Sequence, residues 1–428
     1  MKEYGTVQDL LSDILPFKVK DILNLKSEGT IASTRENVTV VTEDGEEVLL
    51  FMKVRRKGSV TEEFDKVYGM FNREGVMYGE VLPLLDCFLK ENVSDDNLKV
   101  LEMFPKYYGG GLVNDDLYLI FEDILTESDR YVTGKSDFHS KEQILLTLQH
   151  LGSFHAMSYC LQNKTGVNVL ERFPILDEPV YHPDRVEMFK AYVQGQFTKH
   201  LKILQVVSKA FEAKNNLVCS NLDQVCSVQD ISRLLEFGDN LFGGFLFNLL
   251  KPDQSTSVIT HGDFHMWNIA FLGHPSPSEA MFFDLQVSRW SSGVTDIVQY
   301  LYQVAATPDR TGQNLDQFVG QYCKGFRRVV KFLGLPTDGV DVCSEQWVMA
   351  ECERLVLWGV MFGVSFILPR FVQNEDMFNK IDDRMLDSDD SDENVIDTLD
   401  KSGDDIWFAV KTVMDIIDES RDCLRKCQ

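Results

Sequence analysis

Two apolar runs with polar residues directly behind them constrain the fold of this chain more than any other feature. Residues 258–260 lead into a loop that carries Asp263 and, five residues later, Asn268. A further apolar run, residues 281–283, ends at Asp284. Short apolar runs between turn residues are typical of buried strands. The pattern therefore predicts a loop that presents a carboxylate and a carboxamide beside a strand end that presents a second carboxylate.

These three polar side chains suit phosphoryl transfer from a nucleotide. A carboxylate can orient the attacking hydroxyl group, and the side-chain oxygens of Asn and Asp are suitable ligands for Mg²⁺. Asp and Asn are also ordinary turn residues, so a turn explains either of them when it is taken alone. The ordered set, with apolar strands between its members, favours a catalytic loop.

The loop resembles that of a known group of enzymes. Residues 261–263 read His-Gly-Asp, Asn268 follows, and residues 284–286 read Asp-Leu-Gln. This arrangement resembles the catalytic and metal loops of the choline-kinase-like (CHK) and ecdysteroid-kinase-like small-molecule kinases, within the protein-kinase-like superfamily. The resemblance implies an α+β, bilobal protein-kinase-like fold with a small β-rich N-lobe and a larger, mainly helical C-lobe. It implies a nucleotide-binding lobe over residues 1–122 and a catalytic lobe over residues 123–428.

The same resemblance implies an enzyme, a small-molecule kinase that moves the γ-phosphoryl group of ATP to a hydroxyl group. Asp263 would orient and deprotonate that hydroxyl, while Asn268 and Asp284 would coordinate Mg²⁺. No arginine stands directly before Asp263, and an activation segment is missing. Both departures argue against proteins as phosphoryl acceptors.

Lys53 closes an apolar strand predicted over residues 49–52. A lysine at the end of a buried strand is costly unless its ammonium group finds an anion. The resemblance places Lys53 on the α and β phosphates and makes Glu74, on a helix predicted over residues 62–85, its ion-pair partner. Two alternatives stay open: Lys53 is an exposed strand end, or another glutamate takes the place of Glu74. The competing glutamates are Glu62, Glu63 and Glu80.

Residues 121–124 read Phe-Glu-Asp-Ile at the end of a predicted strand. By resemblance they form the hinge between the lobes, where backbone groups of Glu122 and Ile124 would pair with adenine. An ordinary strand end explains them equally well. Ahead of the first strands, residues 29–33 contain one glycine, Gly29, where the resembling fold has a loop that covers the phosphates. This departure leaves open a second function class, a degenerate, non-catalytic binding protein on the same fold.

Apolar spacing predicts further elements. Residues 7–25 have helical spacing and predict one or two leading helices, and residues 98–104 predict a strand. The three glycines at 109–111 predict a hairpin turn. Residues 164–255 are predicted to form a helical insert with helices over 184–213 and 228–250.

Three smaller predictions concern the larger lobe. The acidic stretch at residues 374–405 repels itself, so we expect a flexible surface loop that adds nothing to the core. His155 is predicted to be a packed core histidine. Thr295 or Asp296 is predicted to cap a following helix, and by resemblance Asp296 braces the catalytic loop from below.

Charge and cysteine content limit the classes of binding partner and the cellular compartment that we expect for this protein. The chain has 42 Lys and Arg against 67 Asp and Glu, a net charge of −25, which argues against nucleic acid and an anionic membrane surface. The nine cysteines are odd in number and form no Cys-x-x-Cys pair, and a signal pattern is absent, so we expect reduced thiols in the cytoplasm. The uncharged run at residues 355–368 is shorter than the roughly 20 residues that a bilayer requires, and is expected to be a buried helix. We expect a monomer whose partner is a small-molecule hydroxyl acceptor, with no nucleic acid and no membrane.

Two features favour different acceptors. The negative charge favours a cationic alcohol of the choline or aminoglycoside type. The insert instead offers aromatic side chains, and much of the charge lies in the acidic stretch, where screening over roughly 8 Å limits its reach. We therefore expect a largely apolar, polyhydroxylated acceptor, such as an ecdysteroid-like molecule or a xenobiotic alcohol. The aromatic residues of the insert include Phe189, Tyr192, Phe197, Phe237, Phe242 and Phe245.

Overall fold

The computed structural model describes residues 2–29, 34–92, 100–126, 129–213, 226–274, 276–337, 341–371, 391–401 and 405–427. A six-stranded sheet and a few helices form a small lobe, and a larger, mainly helical lobe follows. This is the predicted α+β, two-lobed fold class. The lobe boundary after residue 122 stays a prediction.

The small lobe is built on a sheet with the strand order β1-β5-β6-β4-β3-β2. Its burial alternates along β3, where Val38, Val40 and Thr42 are buried, because successive side chains of a strand face opposite sides of the sheet. A tight turn at Asp44 and Gly45 joins β3 to β4, and Gly45 has a φ of +91°. The strands are β1 Glu3–Tyr4, β2 Val19–Gly29, β3 Thr34–Thr42, β4 Glu47–Arg55, β5 Tyr107–Val113 and β6 Asp116–Glu122.

The helices of the small lobe form two groups. Helix α1 lies between β1 and β2 in the chain, and α2, α3 and α4 follow one another between β4 and β5. Gly69, with a φ of +65°, separates α2 from α3. A π-helical turn, Met77–Val81, joins α3 to α4. The bounds are α1 Val7–Ile14, α2 Val60–Tyr68, α3 Met70–Val76 and α4 Leu82–Asn92.

The helical prediction for residues 7–25 is wrong in its second half. Helix α1 ends at Ile14, and Leu15 adopts an extended backbone with a ψ of 143°. The residue before a proline disfavours the helical region, so Pro16 stops the helix. The chain then enters β2, where Ile22 pairs with Val40 of β3.

Two more predictions for the small lobe are wrong. The described part of residues 98–104 contains a 3₁₀ helix, Val100–Met103, in place of a strand. The glycines at 109–111 lie inside β5 and not in a turn. A Cβ atom on Gly110 would lie 2.5 Å from the Tyr118 carbonyl oxygen, and one on Gly111 would lie 2.5 Å from the Tyr4 ring. Glycine is required there because neighbouring groups approach the strand closely.

The larger lobe is mainly helical and carries short strands at the catalytic loop. Strand β8 pairs with β11, and β9 pairs with both β7 and β10. The strands are β7 Arg130–Tyr131, β8 Ser257–Thr260, β9 Ile269–Leu272, β10 Glu279–Phe282 and β11 Arg289–Ser292. The helices are α5 Lys141–Thr165, α6 Val169–Arg172, α7 Val186–Ala213, α8 Val228–Asn240, α9 Leu246–Leu250, α10 Val294–Val304, α11 Thr307–Arg310, α12 Gln313–Phe332, α13 Glu345–Arg354, α14 Val356–Phe371, α15 Ser391–Lys401 and α16 Asp405–Cys427.

Close packing of α5 on α12 forms the centre of this lobe. A Cβ atom on Gly152 would lie 2.1 Å from the Tyr322 carbonyl oxygen, and one on Gly325 would lie 2.0 Å from that of Gln149. The two glycines therefore allow the helix backbones to touch. Helices α7, α8 and α9 occupy the predicted insert.

Helix α14 contains most of the uncharged run and is almost entirely buried, as predicted. Among the described residues, no single helix is long and apolar enough to cross a membrane, although α13 and α14, bent by 58°, pass that test together.

The prediction for the acidic stretch is wrong in part. Residues 391–401 form helix α15, and its Val395 and Leu399 are fully buried. These two side chains are four residues apart and therefore lie on one face of the helix, which contacts α7. Residues 372–390 and 402–404 lie outside the described residues. The segment thus adds apolar area to the core despite its charge.

Candidate active site

The catalytic loop turns sharply between β8 and β9. Gly262 has a φ of +86°, and a Cβ atom there would lie 2.1 Å from the carbonyl oxygen of Val287. Only glycine combines this backbone conformation with so close an approach. Arg289, which is buried, donates from Nη2 to the Gly262 carbonyl oxygen over 3.1 Å. The loop is therefore fixed where Asp263 begins.

Asp296 holds the loop from below, as the resemblance implies. Its carboxylate accepts hydrogen bonds from the backbone N–H groups of His261, at 2.6 Å, and Gly262, at 3.0 Å. Burial raises the pKa of Asp296, but hydrogen bonds from His155 and Gly262 lower it below its ordinary value. The capping prediction is wrong, because the N-cap of α10 is Gly293 and Asp296 lies in the first turn.

His155 is a buried core histidine, as predicted. Its Nε2 atom lies 3.1 Å from Asp296 Oδ2, and its Nδ1 atom lies 3.0 Å from the Tyr322 hydroxyl. His155 therefore connects Asp296, which holds the loop, to Tyr322 of α12. It does not line either cavity described below.

Asp263 projects from the loop with its side chain 32% exposed. Gln299 on α10 donates from Nε2 to Asp263 Oδ1 over 3.1 Å, and His265 Nε2 lies 3.4 Å from Oδ2. Burial alone would raise the pKa of Asp263, but the charges of His265 and His261 and the two side-chain hydrogen bonds lower it to about 2. Asp263 is therefore an ionised carboxylate held on both oxygens.

His265 presents a defined nitrogen to Asp263. Its Nδ1 atom accepts the Trp267 backbone N–H over 3.2 Å, and its Nε2 atom lies 3.4 Å from Asp263 Oδ2 and 3.2 Å from Asn268 Nδ2. Burial lowers the pKa of His265, but the charge of Asp263 raises it above its ordinary value. The pair stabilises the ionised form of Asp263.

Asn268 lies at the end of the loop, in a 3₁₀ turn, Met266–Asn268. Its Nδ2 atom donates to the Asp263 carbonyl oxygen over 3.0 Å. Its backbone carbonyl accepts from Phe283, and the ring of His261 contacts the Phe283 carbonyl oxygen over 2.9 Å. The loop and the segment before Asp284 are therefore joined by two hydrogen bonds.

Asp284 lies two residues after β10 and has a φ of +71°. This left-handed conformation is uncommon for an aspartate and occurs at sites where the surrounding structure fixes it. Lys53 Nζ lies 2.7 Å from Asp284 Oδ1, and Arg35 Nη2 lies 3.9 Å from Oδ2. Two cations of the small lobe therefore face this carboxylate.

Lys53 and Glu74 form the ion pair that the resemblance implies. Lys53 Nζ lies 2.8 and 3.0 Å from the two Glu74 carboxylate oxygens, and both side chains are buried. Burial lowers the pKa of Lys53, but the charges of Asp284 and Glu74 raise it above its ordinary value. The pKa of Glu74 is raised to about 7, chiefly by burial. Lys53 is thus a buried ammonium and not an exposed strand end.

A cavity of about 240 Å³ lies between the two lobes at these residues. Lys53, Glu74 and Asp284 line it, and so do Glu122 and Ile124 of the predicted hinge. Asp123 is fixed there, because Asn37 Nδ2 donates to its carboxylate over 2.6 Å. The predicted nucleotide-binding residues therefore share one cavity. Their roles in binding stay predictions.

A second cavity, of about 280 Å³, contains Asp263 and His265 in its wall. Most of its remaining wall is apolar or aromatic. Within the described part of the chain, Asp263 is the one carboxylate that lines it. The basic lining residue Arg289 pairs with Glu178 over 3.3 Å. The apolar and aromatic lining residues are Phe64, Met70, Val180, Tyr181, Val193, Trp267, Val287, Phe362 and Phe366.

Four of the six aromatic residues that the sequence offered for the acceptor do not line this cavity. Phe197 and Phe242 are buried against each other in the core, with ring centroids 5.9 Å apart. Phe237 and Phe245 pack on each other. The side chains of Phe189 and Tyr192 lie outside the described residues, as do residues 30–33 of the segment that would cover the phosphates.

Three site residues escaped the sequence analysis. Gln299 follows Asp263 by 36 residues, and a helical pattern alone does not show which face meets the loop. His265 stands two residues after Asp263, and its position on the same loop was a signal that could have identified it. Arg35 could be placed in the site only once the register of the β3–β4 hairpin was known.

Comparison with known proteins identifies the family of this chain. The sequence model of the ecdysteroid kinase-like family matches residues 32–335. The chain belongs to the ecdysteroid kinase-like family. It is accordingly a small-molecule kinase, an enzyme that phosphorylates hydroxyl groups. Among curated proteins, none matches the chain significantly.

Solved structures of small-molecule kinases are similar to this family member at low identity. An amicoumacin kinase in complex with AMP-PNP, Ca²⁺ and its ligand has 13% identity and a TM-score of 0.45, over 91% of this chain and 88% of that one. A putative aminoglycoside phosphotransferase from Ralstonia eutropha has 9% identity and a TM-score of 0.43, over 98% and 97%. The Plasmodium vivax ethanolamine kinase has 12% identity and a TM-score of 0.39, over 94% and 88%.

Proposed function

We propose that this chain transfers the γ-phosphoryl group of ATP to a hydroxyl group of a small, largely apolar molecule. One observation carries the proposal. Asp263 lies in the wall of an apolar cavity, and the Lys53–Glu74–Asp284 cluster lines a second cavity. Hydrogen bonds of His261 and Asn268 to Phe283 join the two sets of residues. An acceptor and a nucleotide would therefore meet at this junction.

The nucleotide side uses residues of both lobes. Lys53, already paired with two carboxylates, would hold the phosphates, and Glu74 would keep its ammonium group in place. The backbone of Glu122 and Ile124, at the far wall of the cavity, would pair with adenine. A buried lysine held by a glutamate suits a triphosphate, because anions stabilise its charged form.

The residues present also fit a Mg²⁺ ion. Asp284 offers carboxylate oxygens, and Asn268 offers its carboxamide oxygen because the amide nitrogen is engaged by the Asp263 carbonyl. Hard oxygen ligands of this kind are preferred by Mg²⁺. The ion, when bound with ATP, would neutralise negative charge on the phosphates.

Asp263 would act on the acceptor hydroxyl. With a pKa of about 2 it is ionised at neutral pH and accepts a hydrogen bond from the hydroxyl group. As the new oxygen–phosphorus bond forms and the bond to ADP breaks, the hydroxyl proton passes to the Asp263 carboxylate. Gln299 and His265 would keep that carboxylate aimed at the acceptor, since each contacts one of its oxygens.

The acceptor cavity favours an apolar alcohol over a cationic one. A cationic acceptor calls for carboxylates besides the base, and among the residues that the structure describes Asp263 is the one carboxylate in the cavity wall. Apolar surface that enters such a cavity gains about 25 cal/mol per Å² removed from water. An ecdysteroid-like molecule or a xenobiotic alcohol with an accessible hydroxyl group fits this wall.

A screen with purified protein tests the proposal. The protein is incubated with ATP and Mg²⁺ and with hydroxylated steroids, xenobiotic alcohols, choline and aminoglycosides, and phosphorylated products are identified by mass spectrometry. We expect a product from an apolar alcohol and none with the Asp263→Asn variant. A preference for choline or an aminoglycoside would overturn the acceptor class. Nucleotide binding without any product would favour the non-catalytic alternative.

A further inference from the structure

Arg35 lies directly opposite Lys53 in the β3–β4 pairing. Residues that face each other across an antiparallel pair point to the same side of the sheet, with Cβ atoms about 4.5–5.5 Å apart. The next residues on that side, Asn37 and Phe51, also face each other. All four line the nucleotide cavity. Arg35 therefore belongs to the floor of this cavity.

Two cations placed directly opposite each other repel, so this arrangement requires anions nearby. Lys53 is buried and has two carboxylate partners, Glu74 and Asp284. Arg35 shares Asp284 at a longer distance, 3.9 Å. Within the described residues, Arg35 forms this one ion pair. A guanidinium group has five N–H donors. Most of its donor capacity is left for another anion.

The exposure of Arg35 agrees with the binding of a further anion. Its side chain is 44% exposed, whereas that of Lys53 is 4% exposed. A long, half-exposed ion pair contributes little to stability, so a phosphate can replace it at small cost. The planar guanidinium fork matches two phosphate oxygens at once, which an ammonium group cannot do.

We infer that Arg35 is a second phosphate-binding cation of this nucleotide site. It stands next to the segment where the sequence has a single glycine, Gly29, and supplies side-chain donors to phosphates that a glycine-rich loop would meet with backbone N–H groups. The inference rests on the proposed function, since it requires that the cavity binds a nucleoside triphosphate. It assigns the γ- and β-phosphates a bidentate partner from β3.

Calorimetry with Mg²⁺·AMP-PNP and with adenosine tests this assignment. The variants are Arg35→Ala, Arg35→Lys and the control Arg172→Ala, which removes an exposed arginine of α6, outside both cavities. We expect Arg35→Ala to weaken AMP-PNP binding about tenfold or more and to leave adenosine binding unchanged, because a charge-assisted pair with phosphate is lost. Arg35→Lys should recover part of the affinity, and Arg172→Ala should match the wild type.

The outcomes separate this inference from the function on which it rests. If the wild type binds AMP-PNP and Arg35→Ala binds it equally well, Arg35 does not contact phosphate. If Arg35→Ala weakens adenosine and AMP-PNP by the same factor, the substitution deforms the cavity and the assignment is also wrong. A wild type that binds neither ligand contradicts the proposed function itself.

Discussion

Gln299 Nε2 donates a hydrogen bond to Asp263 Oδ1 over 3.1 Å, from a helix that packs beneath the catalytic loop. Gln299 is fully buried, and its Oε1 atom has no hydrogen-bond partner among the described residues. A buried amide with one unsatisfied oxygen costs free energy. The arrangement therefore serves the orientation of Asp263 better than it serves stability.

Replacing Gln299 should affect turnover more than folding. Gln299→Met keeps the volume and removes the donor, so the Asp263 carboxylate loses one of its two contacts. We expect kcat to fall roughly tenfold to a hundredfold, because misplaced catalytic groups are costly, with the KM for ATP unchanged. Steady-state kinetics and thermal denaturation measure both effects. Gln321→Met, on α12 and remote from Asp263, is the control, and an equal fall in that variant would show a general loss of packing.

Gly262 should tolerate no side chain. In Gly262→Ala the new Cβ atom would lie 2.1 Å from the Val287 carbonyl oxygen, in addition to the strain of a φ of +86°. Gly45→Ala is a matched control, since its φ is +91° and nothing lies within 4 Å of its Cβ position. The backbone strain costs about 1–3 kcal/mol at each position. Gly262→Ala should therefore lower the unfolding free energy more than Gly45→Ala does. The Gly262→Ala variant should also lose its activity. Equal losses in denaturant titrations would contradict the close approach at Val287.

Glu74 should make stability depend on pH. Its pKa is about 7 in the folded chain against an ordinary 4.5, chiefly because it is buried. The folded state therefore holds a proton that the unfolded state releases, and stability from this group is full below pH 4.5 and is lost as the pH rises through 7. Glu74→Gln stays neutral, so its unfolding free energy should fall less between these pH values than that of the wild type. Glu63→Gln, an exposed change on α2, should follow the wild type. Parallel curves for Glu74→Gln and the wild type would contradict this assignment.

The sequence predicted the catalytic loop because its spacing is local. Asn268 follows Asp263 by five residues on the same loop, and only the two short strands β9 and β10 separate Asn268 from Asp284. Lys53 was singled out for a different reason, since a lysine at the end of a buried strand requires an anion, and the family resemblance selected Glu74 as its partner over three competing glutamates. The roles of these residues in catalysis stay predictions.

Other features depend on contacts that a single sequence does not show. The glycines of β5 were taken for a turn because the groups that require them, the Tyr118 carbonyl oxygen on β6 and the Tyr4 ring near the start of the chain, are recognised only once the strands are paired. Helix α15 was missed because its buried pair, Val395 and Leu399, lies among acidic residues that dominate the composition. The cavity at Asp263 is lined by residues of several separate elements, so the sequence did not show which aromatic residues line it.

Asp263 is proposed to act on the acceptor hydroxyl, whereas Lys53 and Asp284 are proposed to bind the nucleotide. The most direct measurement compares turnover and Mg²⁺·AMP-PNP affinity of Asp263→Asn with those of the wild type, using an acceptor that the wild type phosphorylates. We predict that turnover falls about 100-fold or more, because the carboxylate that takes the proton is gone, and that nucleotide affinity is unchanged. Near-normal turnover in Asp263→Asn would contradict the account.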